Sequence, residues 1–271
     1  MRKAGTDARA KLSLYHVLLL VAIFAFWYAM TAPGLVSEEF AKKTAFFFGR
    51  PLQVLNVIWV WFSGGKIYPH LWITLVETLL AFALGSLLGL VVGLWLALSP
   101  MASALSDPYI KAANSMPRVV LGSIFIIWFG LGLPSKVALA VVLVFFVVFF
   151  NAFQGVREVD RNLIANARIL GASPRRVTSD VIIPSALSWI IASLHTSFGF
   201  ALVGAVVGEY LGAIKGLGLM IATAQNTFNP NGVFGAMFIL AAVALLAEAG
   251  VTALENRLIR WRPNVITDVT L

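Results

Sequence analysis

Long apolar runs separated by short polar punctuation organise this chain. Six of them have the length or composition for a bilayer crossing: about Leu14–Ala32, stopped by Pro33-Gly34; about Leu71–Leu98, stopped by Ser99-Pro100; and about Val119–Leu133, Ser135–Val156, Ser185–Ala213 and Val233–Leu254. A helix needs about 20 apolar residues to cross the hydrocarbon core. The third run is short by that measure and is expected to begin earlier, within Asn114–Arg118, with Pro117 starting or kinking it. The longest connection is 33–70, where Leu52, Leu55, Ile58 or Trp59, and Phe62 recur at helical spacing. Trp59 and Trp61 suit the membrane–water interface. The pattern predicts a short amphipathic helix there, either lying on the outer membrane face or packed on the bundle. The fold class that follows is an all-α polytopic membrane protein with six transmembrane helices.

One stretch resists this pattern. Between two apolar runs, 157–184 carries Arg157, Arg161, Arg168, Arg175 and Arg176 together with Glu158, Asp160 and Asp180. A buried Arg costs roughly 2.5–3.5 kcal/mol at a bilayer centre, so five would cost about 12–18 kcal/mol. The segment therefore lies outside the lipid. Leu163, Ala167 and Leu170 give a short helix with one apolar stripe. Gly171 fits the left-handed position just past a helix end. Ser173 and Pro174 read as the N-cap and first residue of a second helix running towards Pro184. Arg175 and Arg176 fall in its first turn, where the helix dipole disfavours cations. A local rule broken without local gain points to a partner or to lipid headgroups.

Composition agrees. Of 271 residues, 60% are hydrophobic and only 12% charged, about half the charged share of a soluble domain. The absence of cysteine excludes disulfides, thiolate metal sites and a cysteine nucleophile. The net charge of +8 is distributed at the ends of apolar runs rather than along one soluble face, which argues against nucleic-acid binding. With the N-terminus in the cytoplasm, fourteen of the 20 Lys and Arg lie on the inner side; Lys42, Lys43, Arg50, Lys66, Lys136 and Lys215 lie on the outer side. That bias places both termini and the arginine-rich stretch inside. The boundaries expected are a cytoplasmic tail 1–13, a first and uncleaved span 14–32, an outer loop 33–70, a membrane core 71–256 and a cytoplasmic tail 257–271.

Two glycine ladders, Gly85-Gly89-Gly93 and Gly204-Gly208-Gly212, form small faces that allow close helix approach. They serve packing within one subunit, a dimer seam or a moving pathway wall. Ionisable groups inside spans mark functional candidates. Glu77 and Glu209 are expected near the outer interface, His195 near the middle of the fifth run as a hydrogen-bonding or solute-facing residue, and Glu248 in the sixth. Phosphate-binding loops need G-x-x-x-x-G-K-[ST], but around Gly65-Lys66 the flanking positions are Val60 and Ile67. No zinc helix or nucleophile elbow occurs either, so the chain is not expected to be an enzyme, nor to hold a metal or cofactor.

Gly171, nine residues, then Val181-Ile182-Ile183-Pro184 resembles the EAA loop of ABC-importer permeases, E-A-A-x-x-x-G-x(9)-I-x-L-P. Ala165 and Asn166 depart from it where the pattern has Glu and its first Ala. Trp128-Phe129-Gly130-Leu131-Gly132, Glu209-Tyr210-Leu211-Gly212 with Gly216-Leu217-Gly218, and Arg260-Trp261-Arg262-Pro263 are similar to segments of the nitrate/sulfonate/taurine-type permeases. The resemblance, from about His70 to Pro263, implies a type I (MetI-like) permease fold of the bacterial inner membrane. It implies a homodimer, a coupling segment that docks in cytoplasmic ATPase subunits, and an external solute-binding protein. Carried onto this chain, the coupling residues are Ala167, Arg168, Gly171, Ala172, Ser173, Pro174 and Pro184. The pathway or gate candidates are Trp128, Phe129, His195, Phe198 and Glu209. The solute implied is a nitrate-, sulfonate- or taurine-like anion or a small organic acid. An ATP-independent secondary transporter or channel is the alternative, for which His195 is the one midplane candidate.

Overall fold

The computed structural model describes residues 2–258, with side chains described for 12 and 14–253. The tail beyond Leu258, including the Arg260–Pro263 motif, lies outside the described residues. Twelve α-helices are present among the described residues and no strand is: α1 (Arg2–Thr31), α2 (Glu38–Phe48), α3 (Pro51–Ser63), α4 (Ile67–Leu98), α5 (Pro100–Ser115), α6 (Leu121–Phe129), α7 (Leu133–Arg157), α8 (Arg161–Ile169), α9 (Pro174–Val177), α10 (Ile183–Leu211), α11 (Leu217–Asn226) and α12 (Pro230–Leu258). Two compact units divide the chain, one of residues up to 70 with 220–240, the other of 71–219 with 241 onward.

In the second unit the central helix is α7. It buries residues on several sides, including Leu139, Ala140, Val144, Val148 and Phe149, because both glycine ladders close on it. A Cβ on Gly89 would come within 2.7 Å of the Phe145 carbonyl, and one on Gly204 within 2.5 Å of the Ala140 Cα. With no apolar drive between helices in lipid, such backbone approach supplies the dispersion energy that holds α4, α7 and α10 together. The ladders therefore pack within the subunit. Gly204→Val is expected to force α10 off α7 and to destabilise the bundle by about 1–3 kcal/mol. The check is a melting curve in detergent, where an unchanged midpoint would contradict this account.

In the first unit, α2 and α3 replace the single amphipathic helix that the periodicity predicts. Ser37 Oγ caps α2 by accepting from the Phe40 amide at 3.4 Å, and Gly49, at φ +67°, ends it. Pro51 then opens α3. Together they have the length and apolar character of a crossing, but their junction sits at helix ends rather than midway down the bundle. The Arg50 amide donates to Asn231 Oδ1 at 2.8 Å and Asn231 Nδ2 donates to Gln53 Oε1 at 2.9 Å, both at the first turn of α12. Pro51–Gln53 also line a pocket with Tyr28–Pro33 at the last turn of α1.

The remaining apolar stretches are Leu14–Thr31, Ile67–Leu98, Leu133–Arg157, Pro174–Leu211 and Pro230–Ala253, while α5 and α6 have the length and apolar character of a crossing only as a bent pair, a broken span or a re-entrant loop. That bent pair stands where a single span of about 119–133, started or kinked by Pro117, is expected. Pro100–Ser115 and Arg118–Phe129 meet at a 78° bend. Pro117, with no amide hydrogen, sits at the break and only a single 3-10 turn, Arg118–Val120, precedes α6. At about 1.5 Å per residue, the nine residues of α6 are too short to cross alone.

Candidate functional site

The arginine-rich stretch folds as its local signals predict. Asp160 caps α8 by accepting from the Asn162 amide at 2.8 Å. Leu170 ends the helix, Gly171 takes φ +81°, and the Ala172 amide returns to the Ala167 carbonyl at 3.0 Å. This is the glycine-dependent closure that satisfies the last carbonyls of a helix. Ser173 Oγ then accepts from the Arg176 amide at 3.5 Å and Pro174 starts α9. A five-residue π-helical turn, Thr178–Ile182, carries the chain directly into α10, with Pro184 in its first turn. The second helix thus merges with the fifth apolar run instead of ending at Pro184.

The tip of this hairpin is apolar and uncovered. Ile169 is 82% and Leu170 87% exposed, beside exposed Arg168, Arg175 and Arg176, while Val177 is the buried foot. Ala167 and Ala172 are half-buried; Gly171, Ser173 and Pro174 are exposed. The spacing places Leu170 in one apolar stripe with Leu163 and Ala167. Its place just beyond the last turn of α8 turns it outward instead.

At the far end of α10 lies a buried polar cluster that the sequence left scattered. Glu209 Oε1 accepts from Thr74 Oγ1 at 2.6 Å, and Oε2 accepts from the Gly218 amide at 2.7 Å. Thr74 Oγ1 in turn accepts from the Leu217 amide at 3.0 Å. Glu77 faces the Glu209 carboxyl and Lys136 lies near both, while Lys136 Nζ also donates to the Leu131 carbonyl. Glu77, Lys136 and Glu209 are fully buried. The two glutamates are thus enclosed by protein rather than exposed, and Lys136 is not a loop cation. A buried charge must be paired and hydrogen-bonded, and here four chain segments supply the partners. The carboxylate holds the first amides of α11, where the helix dipole favours negative charge.

The other candidates divide. Trp128 and Phe129 stand exposed on α6, with the Phe125 ring edge-on to Trp128 at 6.0 Å and tilted against Phe129 at 6.2 Å. Phe198 is buried edge-on against Phe82 at 5.5 Å. His195 is half-buried on α10 and its Nδ1 lies 2.9 Å from Glu248 Oε1 on α12. The structure joins Glu209 to Thr74, Glu77 and Lys136, and His195 to Glu248; it does not join the two groups into one site.

The chain resembles known proteins along most of its length. A family model described as binding-protein-dependent transport system inner membrane component matches residues 85–260. The formylaminopyrimidine transport permease protein ThiX of Halalkalibacterium halodurans is 32% identical over 74% of this chain and 80% of its own. The taurine transport system permease protein TauC of Escherichia coli is 30% identical over 91% of this chain and 89% of its own. Among solved structures, the MetNI methionine ABC transporter in an inward-facing form matches with a TM-score of 0.60 at 19% identity, over 76% of this chain and 97% of the matched one, which bears on the fold alone. With its helical bundle, its hairpin between membrane helices and these matches, the chain belongs to the family of binding-protein-dependent transport system inner membrane components.

Proposed function

We propose that this chain is the permease subunit of an ATP-driven importer, working as a homodimer in a bacterial cytoplasmic membrane with both termini inside. In this reading a separate cytoplasmic ATPase grips the α8–α9 hairpin and an external binding protein delivers the solute. The single observation that carries it is the hairpin tip: two large aliphatic side chains, Ile169 and Leu170, held in the open among three arginines. Exposed apolar groups rimmed by charge are what a partner buries. Rigid continuity from α9 through the π turn into α10 gives that partner a lever on the membrane helices. Closing of the ATPases would then rock the permease between inward- and outward-open states, as in other alternating-access transporters.

The roles follow from position. Ala167, Arg168, Gly171, Ala172, Ser173 and Pro174 shape and present the docking tip, and Pro184 marks its junction with the membrane helix. Trp128 and Phe129, exposed on α6, are the solute- or seam-facing candidates. Phe198 and Glu209, being buried, act by holding helices in place. The solute proposed is a small sulfonate- or taurine-like compound, on the strength of the relatives' names and coverage.

Co-purification tests the partner: a tagged permease is expected to retain an ATPase subunit in detergent, and to lose it when Ile169 and Leu170 are replaced by Asp. Reporter fusions after Gly65 and after Arg175 test orientation; an external Arg175 reporter would end the proposal.

A further inference from the structure

The inner half of α12 is lightly packed, with Val243, Ala244, Ala247 and Val251 half-buried on one face. None of its residues from Ala241 to Ala253 is buried, whereas Gly232, Gly235, Ala236 and Ile239 nearer its start are. Leu245 and Leu246 point into the open, and apolar contacts in lipid are non-directional, so they fix neither height nor rotation. A directional contact reaches from this half-helix to α10: Glu248 Oε1 against His195 Nδ1 at 2.9 Å. The Glu248 side chain is 57% exposed, although it lies within the apolar stretch Pro230–Ala253. A carboxylate within such a stretch is costly unless a partner compensates it. Separation from its one directional partner on α10 would leave that cost uncompensated, so the two side chains travel together.

His195 sits on the helix that begins as the hairpin. From Pro174 through the π turn to Leu211 the chain is helical without interruption, so a displacement at α9 is passed along α10. Close packing fastens α10 to α7, with Gly155 against Trp189 and Gly204 against Ala140. Among the described residues the one glycine in the inner half of α12, Gly250, has nothing within 4 Å of where a Cβ would stand.

We propose that His195 and Glu248 are a transmission link, by which α10 carries the inner half of α12 with it when the hairpin is moved. The inference rests on the permease reading. It makes the pair positioning residues and not solute ligands. A pair kept only for stability would be replaceable, because exchanging both members of a buried polar pair for apolar residues is often neutral or stabilising. A link that sets register is not replaceable in that way.

The test uses the permease reconstituted in vesicles with its ATPase and binding protein, measuring solute imported per ATP hydrolysed beside the melting midpoint. The double variant His195→Leu/Glu248→Leu is expected to melt like the parent and hold the ATPase, while import per ATP falls by about tenfold, the scale of a lost coupling contact. His195→Arg keeps a donor and is expected to retain coupling; the exchange His195→Glu/Glu248→His restores most of it. Parental coupling in the double-leucine variant would overturn the link. Should that variant fail to fold, the chain's lack of native cysteine permits His195→Cys/Glu248→Cys. Joining these thiols with a short bis-methanethiosulfonate is expected to recover the coupling that the unjoined protein lacks, and no recovery overturns the link equally. If the parent itself imports without regard to ATP, the permease reading fails and not merely the link.

Discussion

Glu209→Leu is expected to collapse the far end of α10. The substitution takes the acceptor from the Thr74 hydroxyl and the Gly218 amide and leaves the buried ammonium of Lys136 with Glu77 as its carboxylate neighbour. Breaking a buried charge set by removing one member costs about 3–5 kcal/mol, and each orphaned donor adds about 1–3 kcal/mol if it finds no water. Leucine is close to glutamate in size, so the main change is the loss of the carboxylate. Gly216 and Gly218 make the same point from the other side, since a Cβ on either would run into the Glu209 side chain. The turn between α10 and α11 is shaped around that carboxylate. Glu209→Gln keeps the shape and one strong acceptor, and is expected to lose roughly half as much or less. The measurement is the fraction of monodisperse protein surviving a temperature series in detergent. A leucine variant as heat-resistant as the parent would show that the cluster does not hold α11.

The sequence was most readable where the cause of structure is local. Gly171 needs only its own φ to end α8, and Ser173 needs only the amide three residues on, so both were legible with their roles. Pro33 and Pro100 likewise mark helix ends by chain chemistry alone, and five of the six apolar runs match long apolar helical stretches to within a few residues. Pro117 announced a break but not its 78° angle, because the direction of α6 depends on what it packs against: Gly122 meets Leu139 of α7 and Leu211 of α10. The polar cluster was illegible. Thr74 and Glu209 are 135 positions apart, and nothing in the residues around Lys136 separates an outer-loop lysine from one that bends back to a carbonyl five residues earlier. Hydropathy also told which residues are apolar without telling which face lipid. Phe198 and Trp128 look alike as aromatic residues in apolar runs, yet one is buried and the other open. The α2–α3 connection was half legible: its spacing gave helix, while Gly49 and Asn231, which break it and pin it, lie outside the apolar repeat.

At the hairpin tip, two neighbouring residues separate shape from contact. Gly171 has no atom within 4 Å of where a Cβ would stand, so Gly171→Val meets no clash and acts through backbone strain alone. A β-branched residue held at φ +81° costs about 1–2 kcal/mol, enough to favour opening the turn between Ala167 and Ala172 and so re-aiming Leu170. Membrane insertion depends on the apolar runs and is expected to be unaffected, while ATP-driven import falls by about tenfold or more. Leu170→Asp leaves the turn intact and changes only what the tip offers. If Leu170 is an anchor buried by the ATPase, its loss costs about 2 kcal/mol or more of association, which a titration of ATPase onto immobilised permease would read as a correspondingly weaker Kd. The pair of results is what discriminates. Valine at 171 should disturb coupling more than affinity, because a strained loop can still be gripped in the wrong orientation, whereas aspartate at 170 should lower affinity first and import in proportion. Equal and small effects at both positions would mean that the partner grips the arginine-bearing face of α9 rather than the tip.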